Sequence, residues 1–409
     1  MKILHVVHNY YPSKGGTQVL FKEVSERLVK DFGCEVTVCT TDALYGPGKK
    51  FNEPVGVRRE VVNGVAIVRF PYYRFHLPLF RRLLRWSVVL KIPIPGFFHR
   101  YIYGPWSPAM HQYIAAFTGD VICGSASNYL FMTYPLWHNA SRPFVFMGAV
   151  HFKEDETINP IAPVELKAIK KSAFYIANTL FEKKRLVGYG VPSNKIEVVG
   201  CGVEVTDFKT GEATINFRRR YGLNDSKIVG FVGRHEPAKG ILHLLEAMEI
   251  LWDRGRDYLL IIAGSPSQFT DVIKQRVNAN TRNAVKVIFI SDFSEDEKSA
   301  IYNNLDVFVS TSTEESFGIV YLEAWACKKP VIGANIGAIR SVIDDGKDGF
   351  LADPHNSSDI ADKIDTLCNN DPIRSQLGLN GFNKVVLNYT WNIIAKKYYD
   401  IYEKAIESK

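Results

Sequence analysis

Short apolar runs alternate along this chain with stretches whose apolar residues recur every three or four positions, the pattern of strands followed by amphipathic helices. Residues 2–8, KILHVVH, predict a first strand. Residues 13–33 predict a glycine turn running into a helix, with Val19, Leu20, Val24, Leu28 and Val29 in helical period and Gly33 as its stop. CEVTVCTT predicts the next strand, and residues 61–70 a hairpin about Asn63-Gly64. GDVICGSASNYL, RPFVFMGAVHF and FYIANT predict three more strands, the last followed by a helix over 181–189. A second series starts with a helical segment at GEATINFRRRYGL. It continues with a strand over 227–232, a polar loop over 233–240 and a helix over 241–251. Strands at DYLLIIAGSP and from Lys286 follow, then a loop at 292–294 and a helix. LDVFVSTS, from Leu305, predicts a buried strand, residues 319–327 a helix, and KKPVIGA the next strand. Residues 335–354 predict a loop with a short helix, and 359–367, 373–386 and 390–405 predict a helical tail. Strands and helices in alternation define an α/β chain with parallel sheets.

A length of 409 residues exceeds one ordinary core and predicts two domains. The boundary falls near 205–212, giving domains over 1–205 and 206–388 and a final helix over 389–409. Six cysteines form no close metal-binding pair and imply no disulfide framework, which suits a reducing cytosol. The first residues are too interrupted by His5, His8 and Asn9 for a signal peptide, and no run is long enough to span a bilayer. Lys and Arg exceed Asp and Glu by only 50 to 43, but residues 1–110 hold sixteen of the former and seven of the latter. Within that region, residues 72–108 carry Arg74, Arg81, Arg82, Arg85, Lys91 and Arg100 among aromatic and aliphatic side chains, with no acid. Two readings of the stretch stay open: a surface resting on anionic lipid, and an ordinary amphipathic helix packed on its own sheet. It forms no recognised nucleic-acid module.

The candidate chemistry gathers at predicted strand ends. Glu315 and Glu323 stand eight residues apart, one in the loop after a strand and one inside the following helix. Between them, amides near Phe317, Gly318 and Ile319 start the helix and offer an anion site. Carboxylates accept sugar hydroxyls and free amides accept phosphate oxygens, so the stretch suits a ligand that is part sugar and part phosphate. Arg234 and Lys239 sit with glycines in the 233–240 loop, a fork and a mobile point charge suited to a diphosphate. Gly15 and Gly16 mark the first strand-to-helix turn. They are read either as an ordinary tight turn or as a close phosphate approach, without the dinucleotide glycine spacing; the 233–240 loop, for its part, is not a Walker loop. His151 directly follows a predicted strand. No Asp-x-Asp pair marks a metal site, and cationic side chains can take that role.

EESFGIVYLEAWACKKPVI resembles the signature of the family 4 retaining glycosyltransferases, and the likeness extends along nearly the whole chain. The resemblance implies a GT-B fold: two Rossmann-like parallel-sheet domains facing a central cleft, with the last helix crossing back to the first domain. It implies a metal-independent, retaining, hexosyltransferase-like enzyme that moves a sugar from a nucleotide-sugar donor, UDP- or GDP-linked, to a glycan acceptor. The basic, aromatic stretch at 72–108 favours a lipid-linked intermediate of polysaccharide or glycoconjugate synthesis as that acceptor, with a soluble sugar as the alternative. No tightly bound cofactor is expected, and the expected location is cytoplasmic, at the membrane periphery if that stretch meets lipid. By resemblance, Gly15 and Gly16 lie against the donor phosphate and the loop with Phe293 borders the base. His151 and Glu315 meet the donor sugar, Glu323 the ribose, and Arg234 and Lys239 the diphosphate. The chain departs from the family at Cys123-Gly124-Ser125, where histidines are common. It also departs at Gly337-Ala338-Ile339-Arg340-Ser341, which lacks the usual glutamate. A nucleotide-sugar epimerase of the same fold and a noncatalytic nucleotide-sugar-binding protein remain alternatives.

Overall fold

A computed structural model describes residues 1–13, 15–44, 54–72, 82–83, 86, 107–125, 141–148, 161, 163–223, 225–280 and 284–408. His151 and nearly all of the basic stretch at 72–108 lie outside the described residues. The chain divides into two compact units. Unit 1 comprises Met1–Val150, Thr157–Gly200 and Asn392–Lys409; unit 2 comprises His151–Glu156 and Cys201–Trp391.

Unit 1 is built on an eight-stranded sheet. In chain order its strands are β1 (Lys2–Val6), β2 (Glu35–Thr41), β3 (Arg59–Val62), β4 (Val65–Phe70), β5 (Val121–Ser125), β6 (Phe144–Met147), β7 (Phe174–Ala177) and β8 (Ile196–Val198). Their order in the sheet is β3-β4-β2-β1-β5-β6-β7-β8. Every neighbouring pair is parallel except β3 with β4. That hairpin turns at Asn63 and Gly64, both at positive φ, the pairing that a two-residue loop between right-twisted strands requires. Helices α1 (Gly16–Phe32), α2 (Pro108–Ala115), α3 (Pro163–Lys171) and α4 (Leu180–Gly188) connect the strands. Gly33 ends α1 in the left-handed conformation, its N–H bonded to the Val29 carbonyl.

Unit 2 starts with α5 (Glu212–Arg220) and alternates regularly from there: β9 (Ile228–Val232), α6 (Ile241–Asp253), β10 (Leu259–Ala263), α7 (Gln268–Asn278), β11 (Val287–Ile290), α8 (Glu295–Asn304), β12 (Val307–Ser310), α9 (Ile319–Ala326), β13 (Val331–Ala334) and β14 (Gly349–Ala352). Two helices, α10 (Ser357–Asn369) and α11 (Asp371–Asn388), complete it. The six strands are all parallel, in the order β11-β10-β9-β12-β13-β14. Strands β9, β12 and β13 are buried along their length, as parallel strands covered by helices on both faces must be. The order reverses between β9 and β12, and loops at the C-terminal ends of those two strands therefore meet at a topological switch point.

The last helix, α12 (Trp391–Glu407), belongs to unit 1 from Asn392 onward. It packs on α1 and β1: Tyr399 stacks on Phe32 with ring centroids 4.7 Å apart, and Arg27 donates to Asn392 at 2.8 Å. The Tyr402 hydroxyl lies 2.9 Å from Nε2 of His5. The expected return of the final helix to the first domain is therefore seen.

Candidate active site

Two loops of unit 2 interlock at the switch point. The first follows β9 and runs to Gly240, which caps α6; the second follows β12 and runs to Gly318, which caps α9. Thr313 N–H donates to the Ala238 carbonyl at 2.9 Å, the Ser312 hydroxyl reaches the same carbonyl at 3.2 Å, and Thr311 lies against Gly240. Gly240 has φ of 73°, and a β-carbon there would stand 2.6 Å from the Thr311 carbonyl oxygen. Glycine is thus needed twice over, for the left-handed backbone and for the close approach. Gly318 is left-handed as well, and a β-carbon there would meet the Tyr321 ring at 2.5 Å. Tyr321 is itself fixed, donating from its hydroxyl to the Ser310 carbonyl at 2.6 Å.

This interlock brings Lys239 and Glu315 together. The Lys239 ammonium donates to the Glu315 carboxylate at 2.5 Å, with the two side chains 16% and 15% exposed. An ammonium has three donors, and Glu315 occupies one of them, so Lys239 arrives aimed and with capacity left for phosphate oxygens. Arg234, in the same loop, is more exposed and pairs with Glu236 at 2.7 Å. His235, between them, is buried. Its Nδ1 lies 3.0 Å from the Thr270 hydroxyl, its backbone N–H donates to the Ser265 carbonyl, and its own carbonyl accepts from the Ser267 hydroxyl. The loop is in this way pinned to the start of α7. Burial, and then the charge of Lys274, lower the basicity of His235.

Glu323 sits on the second turn of α9 and reaches to α8. Its Oε1 accepts from Lys298 at 3.0 Å and its Oε2 from the Tyr302 hydroxyl at 2.7 Å. Each carboxylate oxygen keeps an acceptor position, so the group is a fixed pair of hydroxyl acceptors. Burial disfavours the Lys298 charge, but Glu323 and Glu295 outweigh it and raise the ammonium above its ordinary range. The sequence reading did not find Lys298 and Tyr302. Their spacing of four on one helix was visible, but which helix they faced was not.

Other expected residues fall as follows. Phe317 is buried with its ring against Tyr389, centroids 5.6 Å apart, which leaves only its backbone to a ligand. Ile319 opens α9, whose first turn contains no acidic residue. Phe293 is half-buried in the loop after β11, next to Asp292, which has positive φ. Arg340, in the loop after β13, donates to the carbonyl and side chain of Asn335. Gly15 and Gly16 belong to unit 1, at the start of α1, and Gly15 has extended backbone that does not itself demand glycine. The first turn of α1 also lacks acidic side chains. Among the described residues no three His, Cys, Asp or Glu side chains group as metal ligands.

The arrangement offers fixed cations, helix-start amides and hydroxyl-accepting carboxylates along one edge of a parallel sheet. Known families match the chain over both units. Residues 14–207 match the model of Glycosyltransferase Family 4, and residues 214–384 that of Glycosyl transferases group 1. D-inositol 3-phosphate glycosyltransferase of Corynebacterium diphtheriae is 30% identical over 250 residues, which cover 59% of this chain and 58% of that protein. Capsular polysaccharide biosynthesis glycosyltransferase CapM of Staphylococcus aureus is 28% identical over 258 residues, 60% of this chain and 67% of that one. The chain thus spans between a little over half and two thirds of these relatives. The crystal structure of Anabaena HepE in complex with UDP superposes with a TM-score of 0.72 at 18% identity, over 98% of this chain and 99% of the other. The structural likeness shows the fold alone, GT-B; the two family models, which between them cover both units, show that the chain belongs to the group 1 and family 4 glycosyltransferases.

Proposed function

We propose that the protein is a retaining glycosyltransferase that takes a sugar from a nucleotide-sugar donor, a UDP- or GDP-sugar, and transfers it to a glycan acceptor. The observation that carries this reading is the Lys239–Glu315 pair, where a cation and a carboxylate from two interlocked loops meet at the switch point of the second sheet. Solved structures of this shape that contain UDP favour a uridine donor. The capsular polysaccharide relative favours an acceptor of the polysaccharide type; a lipid carrier at the cytoplasmic face of a membrane belongs to our proposal and rests on the basic, aromatic stretch at 72–108.

In this mechanism the bond from the anomeric carbon to the β-phosphate oxygen breaks, and its electron pair stays on the diphosphate. Lys239, Arg234 and the amides at Gly318 and Ile319 meet the charge that develops there. The acceptor hydroxyl attacks from the side the diphosphate leaves, and its proton passes to a departing phosphate oxygen. Glu323 accepts the ribose hydroxyls and Glu315 those of the donor sugar, while His151 contacts the sugar. Neither glutamate acts as a nucleophile, unlike the paired acids of retaining hydrolases.

Turnover of UDP-, GDP- and ADP-sugars with lipid-linked glycan extract and with soluble sugars tests the reading, scored by nucleotide release and glycan mass. One sugar added to an acceptor is the expected result. Lys239→Ala should lower kcat by roughly 10² to 10³, the usual effect of losing one group that stabilises developing negative charge. Glu323→Ala should mainly raise the donor KM. An isomerised donor with no acceptor product, or unchanged kinetics in both variants, would overturn the assignment.

A further inference from the structure

Residues 163–195 of unit 1 contain seven Lys and Arg against two Asp and Glu, and both acids are turned inward. Glu182 is buried and accepts from the Tyr175 hydroxyl and the Asn178 N–H, each at 2.6 Å. Glu165 has a buried carboxyl oxygen and feels the charge of Glu182. The outer surface of α3 and α4 is left with positive charge alone. Lys167, Lys170 and Lys171 are all exposed and, at spacings of three and four, share one face of α3. Among the described residues none of the three has a carboxylate within salt-bridge distance. Lys170 and Lys171 stand in the last turn of α3, where cations suit the helix end, but Lys167, three and four residues before them, adds a like charge that the helix itself does not favour.

Helix α4 adds an apolar component. Leu180, Lys184 and Val187 follow at four and three residues on one face; Leu180 is 57% and Val187 42% exposed, and Lys184 is exposed too. Arg185 lies 5.1 Å from the centre of the Phe181 ring beside them. The chain steps from β6 to β7 to β8 in one direction through the sheet, and right-handed crossovers then place α3 and α4 side by side on one face. The two meet where α4 ends: a side-chain carbon at Gly190 would stand 3.2 Å from Lys170 Nζ.

We infer that the α3–α4 face of unit 1 docks on an anionic lipid bilayer, with the lysines at the headgroups and Leu180 and Val187 in the interface. Lysines alone would suit any polyanion. Exposed leucine and valine among them do nothing for a soluble polyanion and gain free energy only where acyl chains begin. The surface contains no residue of the proposed transfer site, and its test involves neither donor nor acceptor, so it stands or falls separately from the transferase reading.

Co-sedimentation of the full chain with phosphatidylcholine vesicles, with and without phosphatidylglycerol, measures the partition. The wild type should bind only vesicles that contain phosphatidylglycerol. Each lysine near such a surface contributes roughly fivefold; the variant Lys167→Ser, Lys170→Ser, Lys171→Ser should therefore lose at least tenfold. The variant Leu180→Ser, Val187→Ser, unchanged in charge, should lose severalfold. Thermal melting checks that both variants fold; these side chains are exposed, and wild-type melting is expected. A folded lysine variant that binds as wild type, or a wild type that ignores phosphatidylglycerol, would overturn the proposal. A folded Leu180, Val187 variant that binds as wild type would overturn the bilayer in favour of a soluble polyanion.

Discussion

Two carboxyl groups of unit 1, Glu165 and Glu182, show how environment decides what an acidic side chain does. Glu182 is buried but accepts two hydrogen bonds. Glu165 gains less: burial, and then the charge of Glu182, push its carboxyl up to about 7. A carboxyl raised in this way favours folding while protonated. Its contribution is complete below the ordinary glutamate range near pH 4.5, falls as pH rises, and is lost above about pH 7. The difference is on the order of 3–4 kcal/mol, because a tenfold change in a proton-binding constant corresponds to about 1.4 kcal/mol. Replacing Glu165 by Gln removes the ionisation while keeping the shape. Glu165→Gln should therefore melt at a higher temperature than wild type at pH 8 and close to it at pH 5, as followed by circular dichroism. An equal difference at both pH values would show that the carboxyl does not titrate in this window. None of this was legible in the sequence, whose pattern marked a helix only at 181–189, passed over α3, and gave neither acid a role. Glu315, Glu323, Arg234 and Lys239 were legible, because their chemistry is tied to loops and helix starts that the hydrophobic pattern locates. The partners Lys298 and Tyr302 were not, since the contact between α8 and α9 depends on strand order.

At the scale of elements, the candidate site is a product of how closely two loops approach, and glycine sets that distance. Gly240 begins α6 with φ of 73° against the carbonyl and hydroxyl of Thr311. An alanine there costs about 1–2 kcal/mol for the left-handed backbone, and its β-carbon also forces the β12 loop away. That movement would separate Lys239 from Glu315. Asparagine tolerates the left-handed backbone but carries the same β-carbon. Both Gly240→Ala and Gly240→Asn should thus lower the melting temperature by roughly 2–8 °C, taking about 2–4 °C per kcal/mol for a domain of this size. Wild-type stability in the asparagine variant would mean that only the backbone angle mattered. The sequence pattern located the strands flanking these loops because β9, β12 and β13 are continuous apolar runs. It passed over β8 and β14, which have three and four residues, as well as helix α7. In β14, Gly349 lies so close to β13 that a β-carbon would stand 2.6 Å from the Val331 carbonyl. A strand selected for close packing carries little of the β-branched, alternating signal that marks strands in a sequence.

For the whole molecule, the decisive feature is that unit 1 is assembled from both ends of the described chain. His5 of β1 is buried with Nδ1 2.7 Å from Ser25 of α1 and Nε2 2.9 Å from Tyr402 of α12, so three elements meet at one side chain. Periodicity alone identified residues 390–405 as a helix; only the family resemblance implied where that helix goes. Its apolar face explains why it goes there: Ile394, Tyr398, Ile401 and Tyr402 are all buried. At about 1.5–3 kcal/mol for each large apolar side chain, the four together contribute about 6–12 kcal/mol. That is the scale of a whole domain's net stability, about 5–15 kcal/mol. Unit 1 therefore cannot close its core without α12, whereas the strands of unit 2 lie in one continuous segment before it. Deleting residues 392–409 should leave amide hydrogens of β9, β12 and β13 protected from exchange while those of β1, β2 and β5 exchange at rates near those of the unfolded chain. Protection surviving in β1 and β5 would mean that the first sheet is held by α1 to α4 alone, and that α12 adds contacts to a core already complete.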